Sequence, residues 1–321
     1  MSIEIIEPGL STTVQDQGRP GVYNVGIPQG GAMDQFSAEV ANALVGNTVK
    51  EAVLEAAYLG PRLKALSSMN IAVTGAPVTV TINGVTKPQW ERISLQPGDE
   101  VSFGPAQAGS RFYLAVSGGI DVPVVLGSRS TYTLGKLGGF QGRTLRAGDL
   151  LPVGRVLGEG FQQCPQELRP SFSKQLEVRV LRGLYDHLLS EAGWHTLVSA
   201  EWNLTPVADR TGLRYSGPEV EWKPRVQPFG AGSDPSNIVD AGYAVGSIQI
   251  PGGKEPIVLH RDAVSGGGYA MVATVISADL DLLARSAPGT KTRFTEVSMD
   301  QALAARGNNA KLREQLWTHQ V

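Results

Sequence analysis

Cysteine is almost missing from this chain: Cys164 is the only one in 321 residues, so an intrachain disulfide is excluded and a reducing compartment suits it. That cysteine sits in GFQQCPQEL with no activating base beside it and reads as a bystander. Histidine is scarce as well. His187, His195, His260 and His319 show no metal-ligand spacing with one another, which excludes the common zinc arrangements and leaves no metal site to expect. No apolar run approaches the ~20 residues needed to span a bilayer, and MSIEIIEPG carries acids where a secretory signal has a basic region. A soluble, cytoplasmic protein is expected. Neither sign of charge dominates: 28 basic and 30 acidic residues are interspersed, for a net charge of −2. That balance argues against nucleic acid or an anionic membrane surface as partner. Walker A, GxGxxG, HExxH, CxxC and GxSxG patterns are all absent.

What the chain has in excess is glycine, 39 residues, together with 20 prolines and no collagen-like period. Such a composition implies many turns and short strands. The length favours two fused subdomains over one. Residues 3–6 form a strand ending at Pro8-Gly9, and STTVQDQGRPGVYNVGIPQGGAMD follows as an ordered loop. Asp34 is a good N-cap for a helix that places Phe36, Val40, Ala43 and Leu44 on one face and closes at Gly46-Asn47. From Ala52 to Val153 the pattern is strands and turns, with VTVTI meeting Asn83-Gly84 as the strongest hairpin signal. LQPGDEVSFG (95–104) and LRAGDLLPVG (145–154) echo one another, and APGTKTRF (287–294) is a weaker third copy. Each reads as a turn leading into a strand that closes a barrel or sandwich.

Residues 156–174 read as a linker between a β subdomain at 1–155 and a second at 175–297, and 298–321 as a helical tail. Ser298 with Gln301 makes a capping box, and Gly307-Asn308-Asn309 splits that tail into two helices. Ser277 is expected to cap a short helix whose first turn carries Asp279 and Asp281. The fold class is therefore mostly β: two fused barrel-like subdomains with a few short helices.

Three places could hold chemistry. Arg129 lies between Ser128 and Ser130-Thr131-Tyr132, a cluster that either binds a carboxylate or phosphate or merely orders its own loop. Asp209 and Arg210 form an adjacent charge pair at a bend before Thr211-Gly212. The third is PGGKEPIVLHRDAVSGGGYAMVATVISADL (251–280), where Gly266, Gly267 and Gly268 precede Tyr269 and a strand apolar on both faces. Three glycines mark either a bulge or barrel corner, or a wall that a ligand approaches closely, with His260-Arg261-Asp262 at its rim. Together with Gln249 these groups suit hydrogen-bonding a small amide or carboxylate more than attacking it.

TTVQDQGRPG, GIPQGGAMD, AVSGGIDVPVVLGSRSTYTLGKLGGFQGR, ADRTG, GSIQIPGG and PIVLHRDAVSGGGYAMVATVISADL resemble the KipA family. It is also called allophanate hydrolase subunit 2 and corresponds to subdomains A and B of the urea carboxylase carboxyltransferase region. The likeness runs from residue 2 to about 297. It implies that at least one subdomain is cyclophilin-like, and that the chain is an enzyme subunit, incomplete alone. The leading reading is the C subunit of an ATP-dependent 5-oxoprolinase, opening 5-oxoproline to glutamate beside a KipI-like B subunit and a LamB/YcsF-like A subunit. The alternative is carboxyl transfer from carboxybiotin to urea or a related amide, with biotin carboxylase and a biotinyl carrier as further partners. A regulatory role, antagonising a KipI-like kinase inhibitor, is the third. No cofactor is expected on this chain alone, ATP being used by the complex.

In these readings Arg129 and Arg210 orient a carboxylate or carbonyl, Asp209 holds Arg210, His260 carries a proton, and Tyr269 bonds the amide. Ser130, Tyr132, Gln249, Gly267 and Gly268 complete the expected site. The sequence departs from many relatives before Gly267-Gly268-Tyr269, where Ala263-Val264-Ser265-Gly266 replaces a Gln-Thr pair, and His260-Arg261-Asp262 replaces more apolar residues. That loop is where substrate identity is expected to differ.

Overall fold

The structure is a computed structural model that describes residues 1–318, and His319 lies outside them. It divides into two compact units, one of residues 1–20, 30–172 and 310 onward, the other of 21–29 and 173–309.

In the first unit the strands are β1 (Ser2–Glu7), β2 (Ser11–Gln15), β3 (Val53–Ala57), β4 (Arg62–Ala65), β5 (Met69–Gly75) and β6 (Val80–Ile82). They continue with β7 (Val85–Lys87), β8 (Arg92–Leu95), β9 (Glu100–Phe103), β10 (Arg111–Val116) and β11 (Leu150–Pro152). These form two sheets, ordered β11-β1-β4-β9-β6-β7 and β2-β3-β10-β5-β8. Helix α1 (Gln35–Leu44) packs on β5 and β10. β10 is buried on both faces: Phe112, Leu114 and Val116 join the core that holds Ile3, Ile5 and Leu63, while Tyr113 and Ala115 pack with Phe36, Val40 and Leu44 of α1. Asp34 caps α1 as expected, accepting from Ser37 N at 3.1 Å. The Asn83-Gly84 hairpin also forms, both residues at positive φ (52° and 81°), as a type I′ turn requires. Residues 156–174 lie packed rather than extended, with Cys164 and Leu168 buried and Gln163 bridged to Glu91.

The echoed segments share their geometry. Gly98 and Gly148 stand at φ 97° and 85°, and Asp99 and Asp149 accept from Gln96 N and Arg146 N, each at 2.7 Å. Gly98 N donates to Ala65 O and Gly148 N to Ile5 O, both at 2.7 Å, so each turn docks on the end of the strand its own strand pairs with. In the second unit Gly289 repeats the motif at φ 85°, its N–H on Leu204 O at 2.8 Å, with the Thr290 hydroxyl taking the part of the aspartate.

The second unit is built on β12 (Gln175–Arg182), β13 (Trp202–Ala208), β14 (Gly212–Ser216), β15 (Asn237–Gly242) and β16 (Ser247–Gln249). β17 (Ile257–Leu259), β18 (Gly266–Tyr269), β19 (Met271–Val275) and β20 (Lys291–Glu296) follow. Seven of these close a barrel, β12-β19-β16-β17-β14-β13-β20, around Val178, Val180, Trp202, Leu213, Ile248 and Val272. Inside it Tyr215 meets Phe294 edge-on at 5.7 Å. β15 and β18 form a separate two-stranded ribbon. The three glycines are therefore not a barrel corner but half of that ribbon, whose register shifts between Asn237 and Ala241 opposite them.

Helices α2 (Glu191–Ser199), α3 (Leu280–Ala284) and α4 (Met299–Thr318) complete the described chain. Ser277 does not cap with its side chain; it opens a short 3-10 turn, and Asp279 instead takes the Arg179 guanidinium at 2.6 Å. Gly307-Asn308-Asn309 does not break α4, which is continuous. A mid-helix glycine costs only ~1 kcal/mol. Burial of Ala302 and Ala305 beside Ile276, and a hydrogen bond from Asn309 Nδ2 to Ala278 O at 3.0 Å, outweigh it. No helix among the described residues is long and apolar enough to cross a membrane.

Candidate functional site

Ten residues were expected to carry the chemistry. Arg129, Ser130 and Tyr132 belong to the first unit and the other seven to the second.

In the first unit the arginine–serine cluster does bind a carboxylate, and that carboxylate is its own Asp16. The Ser128 hydroxyl donates to Asp16 Oδ1 at 2.6 Å, the Ser130 hydroxyl donates to the same oxygen, and Arg129 N reaches Oδ2 at 2.5 Å. The Arg129 guanidinium donates to Val122 O at 3.0 Å and to Asp121 at 3.1 Å. Buried polar groups must find partners, and here the loop satisfies them internally. The cluster orders the loop. Tyr132 is half-buried with its ring over Gly135, where a Cβ would come within 2.6 Å.

In the second unit the barrel's outer surface carries a cleft of about 330 Å³, lined by Asp209, Thr211, Gly212, Arg214, Gln249 and the apolar side chains Val207, Ile257 and Leu259. Gly212 keeps this wall low, since a Cβ there would stand 3.0 Å from Ile257 Cγ2. Its rim is the turn at Asp209–Thr211. Asp209 Oδ1 accepts from Thr211 N at 2.7 Å and Gly212 N at 3.2 Å, which caps the turn.

Asp209 does not hold Arg210. Asp209 is taken up by capping its own turn, and Arg210 turns instead to Asp262, Nε to Oδ2 at 2.8 Å and Nη2 to Oδ1 at 2.9 Å. Two backbone bonds, Asp262 N to Arg210 O and His260 N to Thr211 O, both 2.9 Å, fasten the same segments together.

His260 is no proton carrier at a rim. It is fully buried, its Nδ1 accepting from Arg261 N at 3.0 Å and its Nε2 3.2 Å from Leu280 O. Burial and these two contacts fix the ring's orientation in the interior.

Gln249 is the most buried polar group lining the cleft, 5% exposed. β16 pairs with β19 through a register shift between Ile248 and Gln249, a bulge that lets Ile248 face the core and aims Gln249 outward. Its Nε2 is buried without a hydrogen-bond partner. The Tyr243 hydroxyl lies close enough to feel that amide, but it is engaged with the ribbon: it accepts from Tyr269 N at 2.8 Å and donates to Tyr269 O at 2.9 Å. Burial pushes the Tyr243 phenol above its ordinary pKa. Tyr243 also packs with Leu259 and Met271, so the ribbon is tied to the cleft wall through it. Gly267 lies against the Tyr243 ring, where a Cβ would stand 3.2 Å from it, and Tyr269 is 44% exposed.

Sequence reasoning found Asp209 and Gln249 but missed Arg214 and Tyr243. Arg214 was legible, since Leu213 and Tyr215 alternate inward around it. Tyr243 had no signal, because its role depends on a strand 26 residues further on. Arg214 Nη1 pairs with Glu255 at 2.8 Å.

Fold and cleft define a β-barrel protein with a recess of mixed polar and apolar lining on its outer face, joined to a two-sheet β unit. Residues 25–296 match the family described as carboxyltransferase domain, subdomain A and B, and the chain belongs to that family. It is similar to a putative urea carboxylase of Emericella nidulans, 34% identical over 313 residues that make up 95% of this chain and 25% of that protein. It is likewise similar to the C subunit of Escherichia coli 5-oxoprolinase, 32% identical over 318 residues, 98% of this chain and 97% of that one. The crystal structure of Kluyveromyces lactis urea amidolyase superimposes with a TM-score of 0.93 at 34% identity, covering 98% of this chain and 20% of that chain. The chain thus spans a quarter or less of the length of these urea-processing relatives.

Proposed function

We propose that the chain is one component of a multi-component enzyme acting on a small amide, and that its reaction is the ATP-dependent opening of a lactam, 5-oxoproline to glutamate. KipI-like and LamB/YcsF-like components would complete the enzyme. The observation that supports this reading is the cleft: small, largely apolar, with one buried amide among its polar groups. Neither serine, cysteine nor histidine lines it, and the Asp209 carboxylate is capping its own turn. Such a recess binds and orients a substrate, while attack and phosphate chemistry come from other components. The likeness to the C subunit of Escherichia coli 5-oxoprolinase favours it.

A second reading, carboxyl transfer from carboxybiotin to urea or a related amide, is favoured by the family's description and by the urea carboxylase likeness. The test is reconstitution. The chain is combined with KipI-like and LamB/YcsF-like proteins, and ATP-dependent glutamate release is measured. In parallel it is combined with a biotin carboxylase and biotinyl carrier, and urea-dependent bicarbonate fixation is measured. Glutamate release only in the complete first set supports the leading reading. Turnover only in the second set transfers the assignment to carboxyl transfer. Tight binding to the KipI-like protein with no turnover in either set would leave a regulatory role.

A further inference from the structure

We infer that Val226 and Phe229 form an apolar knob that a second copy of this chain receives in the cleft beside Leu184 and Met299, each copy giving its knob and accepting the other's. The contact does not depend on which of the two reactions the chain serves.

Along residues 225–229 the usual alternation is inverted. Arg225 and Gln227 turn inward and are half-buried, while Val226 is 96% exposed and Phe229 stands fully in solvent. The inward side chains staple the loop to the chain that follows it. Arg225 Nη2 donates to Pro235 O at 3.3 Å and to Asn237 O, and Gln227 Nε2 donates to Asp234 O. Phe229 occupies a turn closed by Ala231 N on Pro228 O at 3.1 Å, with Gly230 at φ 89° as a type II turn requires. A loop fixed in this way loses little entropy on docking. A phenylalanine held out from the barrel by such a loop, with valine beside it, has the make-up of an interface anchor.

The same unit carries a receptor for it. A cleft of about 600 Å³ lies where β12 ends and α4 begins, walled by Leu181, Leu184, Met271, Val297 and Met299. Leu184 and Met299 are 71% and 58% exposed, and methionine adapts its shape to an aromatic ring. At the cleft's edge Arg182 and Glu296 pair at 2.8 Å. Knob and cleft are both fastened to one turn, residues 183–188: Leu184 walls the cleft, while Lys223 N bonds Leu188 O and Lys223 Nζ bonds His187 O, each at 2.9 Å. Two copies related by a twofold axis therefore fill both clefts at once, and the contact closes on a dimer. A lipid surface suits the knob less well. Its neighbouring cations, Lys223 and Arg225, are engaged with backbone carbonyls, which leaves none beside it for anionic headgroups.

The experiment measures the mass of the full chain by light scattering and native mass spectrometry across a range of concentrations. A concentration-dependent dimer is expected. Phe229→Ser on the knob and Leu184→Glu in the cleft are each expected to weaken it about tenfold or more. Both side chains are exposed, circular dichroism verifies folding, and Val226→Ser stands in for a knob variant that fails to fold. The deciding measurement mixes the Phe229→Ser and Leu184→Glu proteins. A mixed dimer keeps one intact knob in one intact cleft, whereas neither variant alone keeps any, so mixing should restore dimers that each protein lacks by itself. A wild-type chain that stays monomeric up to about 0.1 mM, unchanged dimers in the folded variants, or no restoration on mixing overturns the inference. Phe229-dependent binding of a monomeric chain to phosphatidylserine vesicles, or to a KipI-like protein, overturns it as well and assigns the knob to that surface instead.

Discussion

Arg210 pairs with Asp262, 52 positions away, through two hydrogen bonds of 2.8 and 2.9 Å, and not with Asp209 beside it. Both partners are largely buried, with 15% and 6% of their side chains exposed. Removing one side of such a pair strands the other charge in a poor solvent for it. Asp262→Ala is therefore expected to lower unfolding free energy by about 3 kcal/mol. Asp209→Ala loses only a turn cap and should cost about 1 kcal/mol. Urea denaturation of the two variants measures the difference, and equal costs would place the structural charge pair at Asp209 after all.

The docked turn at Leu145–Asp149 makes the first unit acid-sensitive. Arg143 grips Asp149 with both nitrogens, at 2.7 and 2.8 Å, and holds its carboxyl below the usual carboxylate range, with Arg146 N–H adding to the effect against the opposing cost of burial. A carboxyl whose folded pKa is depressed gives stability that is complete above its unfolded value, about 3.9, and is lost as pH falls through the folded value. Arg143→Gln should therefore lower stability at pH 7 and shrink the loss between pH 5 and pH 2, since less remains to be titrated. Thermal unfolding across that range reads it out. A variant with the wild-type acid profile would remove Arg143 as the cause.

Cys164 is the one thiol, and burial pushes its pKa up to about 11. Thiolate is the reactive form, so at pH 8 the folded protein should react with an aromatic disulfide reagent at least a hundredfold more slowly than the unfolded protein, whose thiol titrates near 8.5. Stopped labelling with and without denaturant distinguishes the cases. Rapid native labelling would mean that the segment around Cys164 opens.

Local chemistry was readable in the sequence and remote pairing was not. Asn83-Gly84 and the Gly-Asp turns at 98–99 and 148–149 fold as written, because their φ requirements and side-chain acceptors lie within four residues of one another. Asp34 capped its helix for the same reason. Where the decisive partner lay far away the nearest candidate misled. Asp209 stood for Asp262, and Arg129 stood for a ligand's partner when Asp16, 113 positions upstream, was the carboxylate it bound. The three glycines read as a bulge, a barrel corner or a ligand wall because their own preference is weak, and β15 supplies the pairing that makes them a strand. His260 looked available only because burial cannot be read from a polar neighbourhood in the sequence. Of the cleft itself, Asp209 and Gln249 were legible as polar groups beside glycine-rich turns, but their meeting depends on a barrel closed by seven strands.

The Tyr243 hydroxyl closes a ring with the backbone of Tyr269, accepting from its N–H and donating to its C=O, and is the polar tie between the ribbon and the cleft wall. Tyr243→Phe keeps the ring that packs with Leu259 and Met271 and deletes the hydroxyl that makes these two bonds. The expected cost is about 1–2 kcal/mol, and it should fall on the ribbon more than on the barrel. Hydrogen exchange at the Tyr269 amide should accelerate about tenfold or more, while the amides of β16 and β19 keep their protection. The tie is also alkali-sensitive. Burial raises the folded phenol pKa above its unfolded value near 10, so its contribution is complete below pH 10 and is lost as pH rises through the folded value. Wild type should lose ribbon protection on that alkaline limb and Tyr243→Phe should not, because it has no phenol to ionise. Matching alkaline profiles in the two proteins would show that Tyr243 packs against the ribbon without tying it.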